Sequence, residues 1–226
     1  MHSKTTGNAK INLLKDEGLG RSIRATREKK GLSLRELARQ VDVSPSLISQ
    51  IERGRAMPSV GTLFSIANIL ELNLGDMFNN TAVEQESLND RPLSMNALQP
   101  EGAAGPVQRR HNRKKIKLHT GVVWERLTPA ADDQVEFLHV TYDVGGASCE
   151  DGVLFRHGGM EYGYILSGQL GIQIGFDEYV LNPGDSVCFS AQTPHRLWAI
   201  GDEPAVAIFT ILRRHSDSRM ISRDEE

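Results

Sequence analysis

Ser46, Ser49, Gln50 and Arg53 are side chains of the types that hydrogen-bond base edges and phosphates, and their spacing gathers them on one side of a short helix. They lie in the run LSLRELARQVDVSPSLISQIERG, Leu32 to Gly54. Leu47, Ile48 and Ile51 take the opposite side and point inward. Ser44 suits the N-cap, Pro45 the first helical position, where a missing N–H costs nothing, and Gly54 the end. Upstream, Leu34, Leu37, Ala38 and Val41 form one face of a preceding helix, with Ala38 small enough to let the second helix cross close by. Two short helices joined at a tight turn can lay one of them in the DNA major groove. A bundle that merely packs or dimerises would use the apolar faces, but it gives the exposed Ser, Gln and Arg set no task.

Further helices must hold this pair. The periodicity predicts a first helix near Leu19 to Lys30 ended by Gly31, a fourth near Val60 to Leu70 with Leu63, Ile66, Ala67 and Leu70 inward, and a short fifth containing Leu74, Met77 and Phe78.

The stretch from Leu19 to Phe78, with its SxxISxIExG core, resembles the phage-repressor-like, or XRE, helix-turn-helix family. The resemblance implies a five-helix domain in which Pro45, Ser46 and Gln50, with Ser49 beside them, face bases. Ser33 or Leu34, together with Arg53 and Arg55, would lie near phosphates. With the capping Ser44, the DNA-facing set is Ser33, Leu34, Ser44, Pro45, Ser46, Ser49, Gln50, Arg53 and Arg55.

Charge divides the chain in the same way. Residues 1–80 carry 12 basic against 8 acidic side chains, residues 81–120 carry 7 against 4, and residues 121–226 carry 7 against 17. A basic front and an acidic back suit a protein that holds phosphate at one end only. There is no run of eighteen apolar residues and no secretory leader, so a cytoplasmic protein without membrane contact is expected. The two cysteines, Cys149 and Cys188, lack metal-finger spacing and read as buried thiols, with a redox role the alternative.

From Asn79 to about Thr120, polar residues and prolines read as a linker that would leave the DNA-binding unit mobile. Its basic run RRHNRKKIK, Arg109 to Lys117, is either solvated surface or an extension along DNA phosphates. Beyond Gly121 come about nine short strand-like runs separated by turn residues: VVWERL, VEFLHVTY, GVLFRH, YGYIL, QLGIQIG, EYVL, SVCFS, HRLWAI and AVAIFTIL. They predict an all-β sandwich or barrel.

This half resembles cupins, jelly-roll barrels, at two motifs. In HGGMEYGYILSG, His157, Glu161 and Gly168 match the family's first motif, with Phe155 and Cys149 replacing its first His and opening Gly. In NPGDSVCFSAQTPH, Gly184 and His195 match the second, while Ser190, Gln192 and Ala199 depart from it. The resemblance leaves three potential ligands, His157, Glu161 and His195. Such a set can bind a divalent transition metal (Fe, Mn, Ni or Zn) with open positions. The other reading is a metal-free effector pocket of Phe155, His157, Glu161 and His195, with Phe155 filling the place of a fourth ligand. His139 reads as a packed or surface side chain.

The domain boundaries expected are a tail at 1–15, the helix-turn-helix domain at 16–80, the linker at 81–120, the cupin at 121–213 and a tail at 214–226. Together the halves resemble bacterial transcription regulators joining an XRE-type helix-turn-helix to a C-terminal cupin sensor. That implies a homodimer on a double-stranded DNA operator, a small-molecule effector, repression as the expected sign, and no catalysis. The alternative the layout offers is a mononuclear non-haem iron oxidase or epoxidase using a His/Glu/His site.

Overall fold

A computed structural model describes residues 17–72, 74–78 and 105–213. Four helices, α1 (Glu17–Lys29), α2 (Leu34–Val41), α3 (Pro45–Glu52) and α4 (Val60–Leu70), are followed by a single turn, α5 (Leu74–Met77). Their ends follow from local chemistry. Ser33 and Glu36 form a reciprocal capping box at the start of α2, and Ser44 Oγ accepts the Leu47 amide at 3.1 Å at the start of α3, with Pro45 in the first turn. Asp42 ends α2 in the left-handed region, φ 62°, which sets the turn between the two helices.

Leu19, Ile23, Leu37, Ala38, Ile48, Ile51, Leu63, Ile66 and Leu70 close the core of this domain. A Cβ on Gly20 would overlap the Ile51 carbonyl oxygen, so only glycine lets α1 seat against the end of α3. Beside that contact the Arg27 guanidinium donates from Nε to Glu52 Oε1 at 2.6 Å and from Nη2 to Oε2 at 3.0 Å. Arg27 Nη1 also donates to the Leu32 carbonyl at 2.7 Å. One buried fork therefore ties α1, the α1–α2 turn and α3 together.

The remainder is β structure: β1 (Lys115–Leu118), β2 (Val122–Arg126), β3 (Val135–Tyr142), β4 (Met160–Ser167), β5 (Gln169–Ile174), β6 (Asp177–Leu181), β7 (Ser186–Ser190), β8 (His195–Ile200) and β9 (Ala205–Leu212). A six-stranded sheet runs β1-β2-β3-β9-β4-β7 and a three-stranded sheet β6-β5-β8, all antiparallel pairs. Alternation along β2, β3, β8 and β9 turns Trp124, Leu138, Val140, Leu197, Phe209 and Ile211 inward. Two expectations change. GVLFRH contributes only an isolated bridge, Phe155 to His195, because Gly152 and Gly159, both at positive φ, bend the chain on either side of it. Conversely Lys115–Leu118, inside the stretch read as linker, is β1, with Arg113 and Lys115 paired to Glu125 of β2 at 3.1 Å each.

The helical unit is also not detached from the barrel. The Gly61 amide donates to the Ser148 carbonyl at 3.2 Å, the His119 amide to the Pro58 carbonyl at 3.0 Å, and the Gly75 amide to Glu136 Oε1 at 3.1 Å. Arg126 donates back to the Gly75 carbonyl at 2.9 Å and lies over the Phe78 ring. Phe64 on α4 and the Gly75 backbone of α5 find their partners in the barrel, which sequence periodicity within one helix could not reveal.

Replacing Glu52 by Ala strands the Arg27 charge in a buried setting, so it should cost about 3 to 5 kcal/mol in urea unfolding of the full chain. Replacing Arg27 by Met together with Glu52 by Leu should recover most of that loss; equal costs for the single and double variants would contradict the pairing.

Candidate nucleic-acid interface and histidine–carboxylate site

On α3, Ser46 and Gln50 are exposed one turn apart, with Gln50 Nε2 within 3.4 Å of Ser46 Oγ, while Ile48 and Ile51 are buried behind them. Ser33, Ser44, Pro45, Arg53 and Arg55 are exposed too; Leu34 and Ser49 are half-buried. Arg53 folds back, donating from Nε to the Ser49 carbonyl at 3.0 Å. The face is thus short and polar at its centre and cationic at its edge. Arg35 and Arg39, exposed on α2, extend the cationic edge. The sequence placed both outside the apolar stripe of that helix, which was the available signal. Docking against the barrel uses α4 and α5 and leaves α3 open.

In the barrel, β4 supplies Glu161, the first residue of β8 is His195, and the loop before β4 carries His157. The structure brings these three together: one donor atom from each lies within 4.8 Å of the others. Their side chains are 6% exposed at His157, 6% at Glu161 and 0% at His195. His195 Nδ1 lies 2.8 Å from the Thr193 carbonyl and His157 Nδ1 3.1 Å from the Gly158 carbonyl. A carbonyl only accepts, so each Nδ1 carries the hydrogen and each Nε2 of a neutral ring presents a lone pair. Both Nε2 atoms converge on Glu161 Oε1, at 2.6 and 3.4 Å, and neither makes a hydrogen bond there.

Three acceptors facing one another in a buried space call for a cation or added protons between them. Burial opposes ionisation of Glu161; with protons added at the two Nε2 atoms, the hydrogen bonds and charge of the imidazoles outweigh it and hold the carboxyl down at about 2. Carbonyl-fixed tautomers with free Nε2 atoms are the support that metal-binding histidines use. The residues present therefore fit a divalent metal. Phe155 stands beside them, its ring 4.3 Å from that of His195 between centroids. His139 lies on the opposite face of β3, paired with Glu125 of β2, and is not part of the trio.

A further wall beside Phe155 comes from the helical domain. Phe64 of α4 stacks on His157 with centroids 3.8 Å apart and planes 3° from parallel, and it meets Trp124 and Phe155 at 5.6 Å each. Gly61, one turn earlier, allows this approach: a Cβ there would sit 3.1 Å from Phe155 Cβ. Sequence reasoning missed both residues. Phe64 fits the apolar pattern of α4, and nothing in that pattern says that the face it serves belongs to another domain.

Cys149 is buried, with its thiol donating to the Val153 carbonyl at 2.8 Å and pushed up by burial, whereas Cys188 is exposed on β7. No described helix is long and apolar enough to cross a membrane.

Comparison with known proteins places each half. Residues 23–77 match the helix-turn-helix family model and residues 138–211 the cupin domain model. The HTH-type transcriptional regulator SutR of Escherichia coli K12 is 24% identical over 194 residues, covering 86% of this chain and 93% of that protein. The HTH-type transcriptional regulator PuuR of the same organism is 25% identical over 186 residues, covering 80% and 89%. A solved HTH_3 family transcriptional regulator from Vibrio cholerae superposes with a TM-score of 0.61 at 22% identity, covering 88% of this chain and 97% of its own. The likeness to that structure extends the fold match across both halves.

Replacing Gly61 by Leu should force α4 off the barrel while improving its helix propensity by up to roughly 1 kcal/mol. Small-angle scattering should then show a larger radius of gyration with helix content retained; an unchanged radius would contradict the close docking.

Proposed function

We propose that this chain, an XRE-type helix-turn-helix domain joined to a cupin domain, is a sequence-specific DNA-binding transcriptional regulator whose cupin responds to a metal ion or small molecule. The observation that carries the reading is α3 itself: capped by Ser44, buried along its apolar side, and open along Ser46 and Gln50. Relatives that span both halves and bear the name of transcriptional regulators support it.

The DNA-facing set is Ser33, Leu34, Ser44, Pro45, Ser46, Ser49, Gln50, Arg53 and Arg55. One such helix reads too few base pairs for genomic specificity, so the working unit is a homodimer on half-sites roughly 34 to 36 Å apart. Tyr162, Tyr164 and Leu166, exposed on the outer face of β4, offer an apolar surface for the pairing.

In the cupin, His157, Glu161 and His195 would hold the metal, with Phe155 where a fourth ligand would stand. When bound, a divalent ion supplies a fixed positive charge and an open coordination position. The residues themselves fix the site: the Thr193 and Gly158 carbonyls set the imidazole tautomers, and Glu161 gives the compensating charge. The same donor set favours a second reading, the non-haem iron oxidase. Against it, an oxidase gives the exposed Ser46 and Gln50 face of α3 no task.

Two measurements test the reading. Gln50→Ala should lose roughly 1 to 3 kcal/mol of discrimination at one position per half-site, whereas Arg53→Ala should weaken binding to all sequences and lessen the salt dependence. Equal loss on operator and scrambled DNA for Gln50→Ala would contradict the assignment. For the cupin, Glu161→Gln should weaken Co²⁺ or Zn²⁺ binding at least about ten-fold, the scale typical of lost metal-site support. Wild-type affinity in that variant would contradict the trio, and oxygen-dependent turnover by metal-loaded wild type would favour the enzyme.

A further inference from the structure

The barrel chamber is lined by apolar walls from Val140, Leu197, Phe209 and Ile211, with Trp124 and Phe155 beside them, and Glu161 brings the His157–Glu161–His195 trio to its edge. That is the lining expected of a small-molecule site, apolar with a few convergent polar groups. Yet it retains only about 20 Å³ of space. Phe64 from the DNA-binding domain is part of what fills it, 7% exposed and stacked flat on His157. A solvent-open cleft of about 480 Å³, bounded by Ala67, Asn68 and Leu72 of the helical domain and by Gly159, Ile211 and Arg213 of the barrel, reaches both Phe64 and His157. It forms an approach to the chamber at the seam between the domains.

We propose that Phe64 is a built-in surrogate ligand: a planar, mainly apolar effector with a polar end for the trio takes the place of its ring, and in doing so releases α4 and the DNA-reading unit from the barrel. The inference rests on the reading of the trio as the effector site. The ligand class follows from what the chamber already accepts, a flat ring against His157 between aromatic and aliphatic walls. Coupling follows because ring and effector exclude one another; an effector bound in the chamber is incompatible with the docked α4. The route runs directly through a side chain shared by both domains and needs no relay through strands or linker.

Gly61 supplies a reporter. It lies in the first turn of α4, where an amide has no intrahelical acceptor, and its partner is the Ser148 carbonyl of the barrel. Its hydrogen exchange therefore follows docking, as does that of His119, whose amide is held by the Pro58 carbonyl.

The test uses phenol as the probe on the full chain, comparing wild type with Phe64→Ala and with the milder Phe64→Leu. Removing the ring should tighten phenol binding about ten-fold or more, within the usual range of such couplings, with Phe64→Leu in between. In wild type, phenol should speed exchange at Gly61 and His119; in Phe64→Ala it should bind without further change there. Equal phenol affinity in all three chains, or binding to wild type with both amides still protected, would overturn the proposal. Adding Glu161→Gln to Phe64→Ala should weaken phenol binding. Indifference to that change would remove the trio as the polar anchor and overturn the ligand class, while the exchange data would still report whether the ring is displaced. Operator binding by wild type, measured separately, fails only if the regulatory reading fails.

Discussion

The flat contact between Phe64 and His157 is the constraint on which the rest of this structure depends. It places a side chain of the DNA-binding domain on a candidate ligand of the barrel, 3.8 Å ring to ring. Everything nearby is arranged to permit it: Gly61 has no Cβ to hold α4 away from Phe155, and the Gly61, Gly75 and His119 amides each find an acceptor across the boundary. Two domains that the sequence presents as separate are joined beside the His157, Glu161 and His195 cluster.

The trio owes its chemistry to the same enclosure. In water, two imidazoles and a carboxylate would each find solvent partners. Here burial removes solvent, the Thr193 and Gly158 carbonyls fix the Nδ1 hydrogens, and the Nε2 lone pairs are left facing Glu161. A metal would relieve this convergence of acceptors. The stack on Phe64 covers one face of the His157 ring, so the orientation of that imidazole is partly in the hands of the helical domain.

The parts of this arrangement that are local in sequence could be read there, and those that are not could not. Ser33, Ser44 and Pro45 announce the starts of α2 and α3 because capping acts over three residues. The alternation in VEFLHVTY and AVAIFTIL predicts β3 and β9 because side chains on a strand repeat every second residue. His157, Glu161 and His195 were selected by motif spacing, and the fold gathers them. Phe64, Gly61, Gly75 and Arg126 carried no signal, since their roles depend on a partner from the other domain. The basic run divides: Arg109, Arg110 and Lys117 are exposed, as solvated surface would be, while Arg113 and Lys115 answer Glu125 on a neighbouring strand, a pairing that charge composition could not reveal. GVLFRH misled because apolar residues over six positions look like a strand, although Gly152 and Gly159 bend the chain around a single bridge.

The most direct test of this account is a double-mutant cycle between Phe64 and His157, each replaced by Ala, read by denaturant unfolding of the full chain. A shared wall predicts a coupling energy of about 0.5 to 1.5 kcal/mol, the range found for aromatic pairs in contact. Additive losses, with coupling indistinguishable from zero, would mean that the two domains do not meet at this ring and would contradict the account.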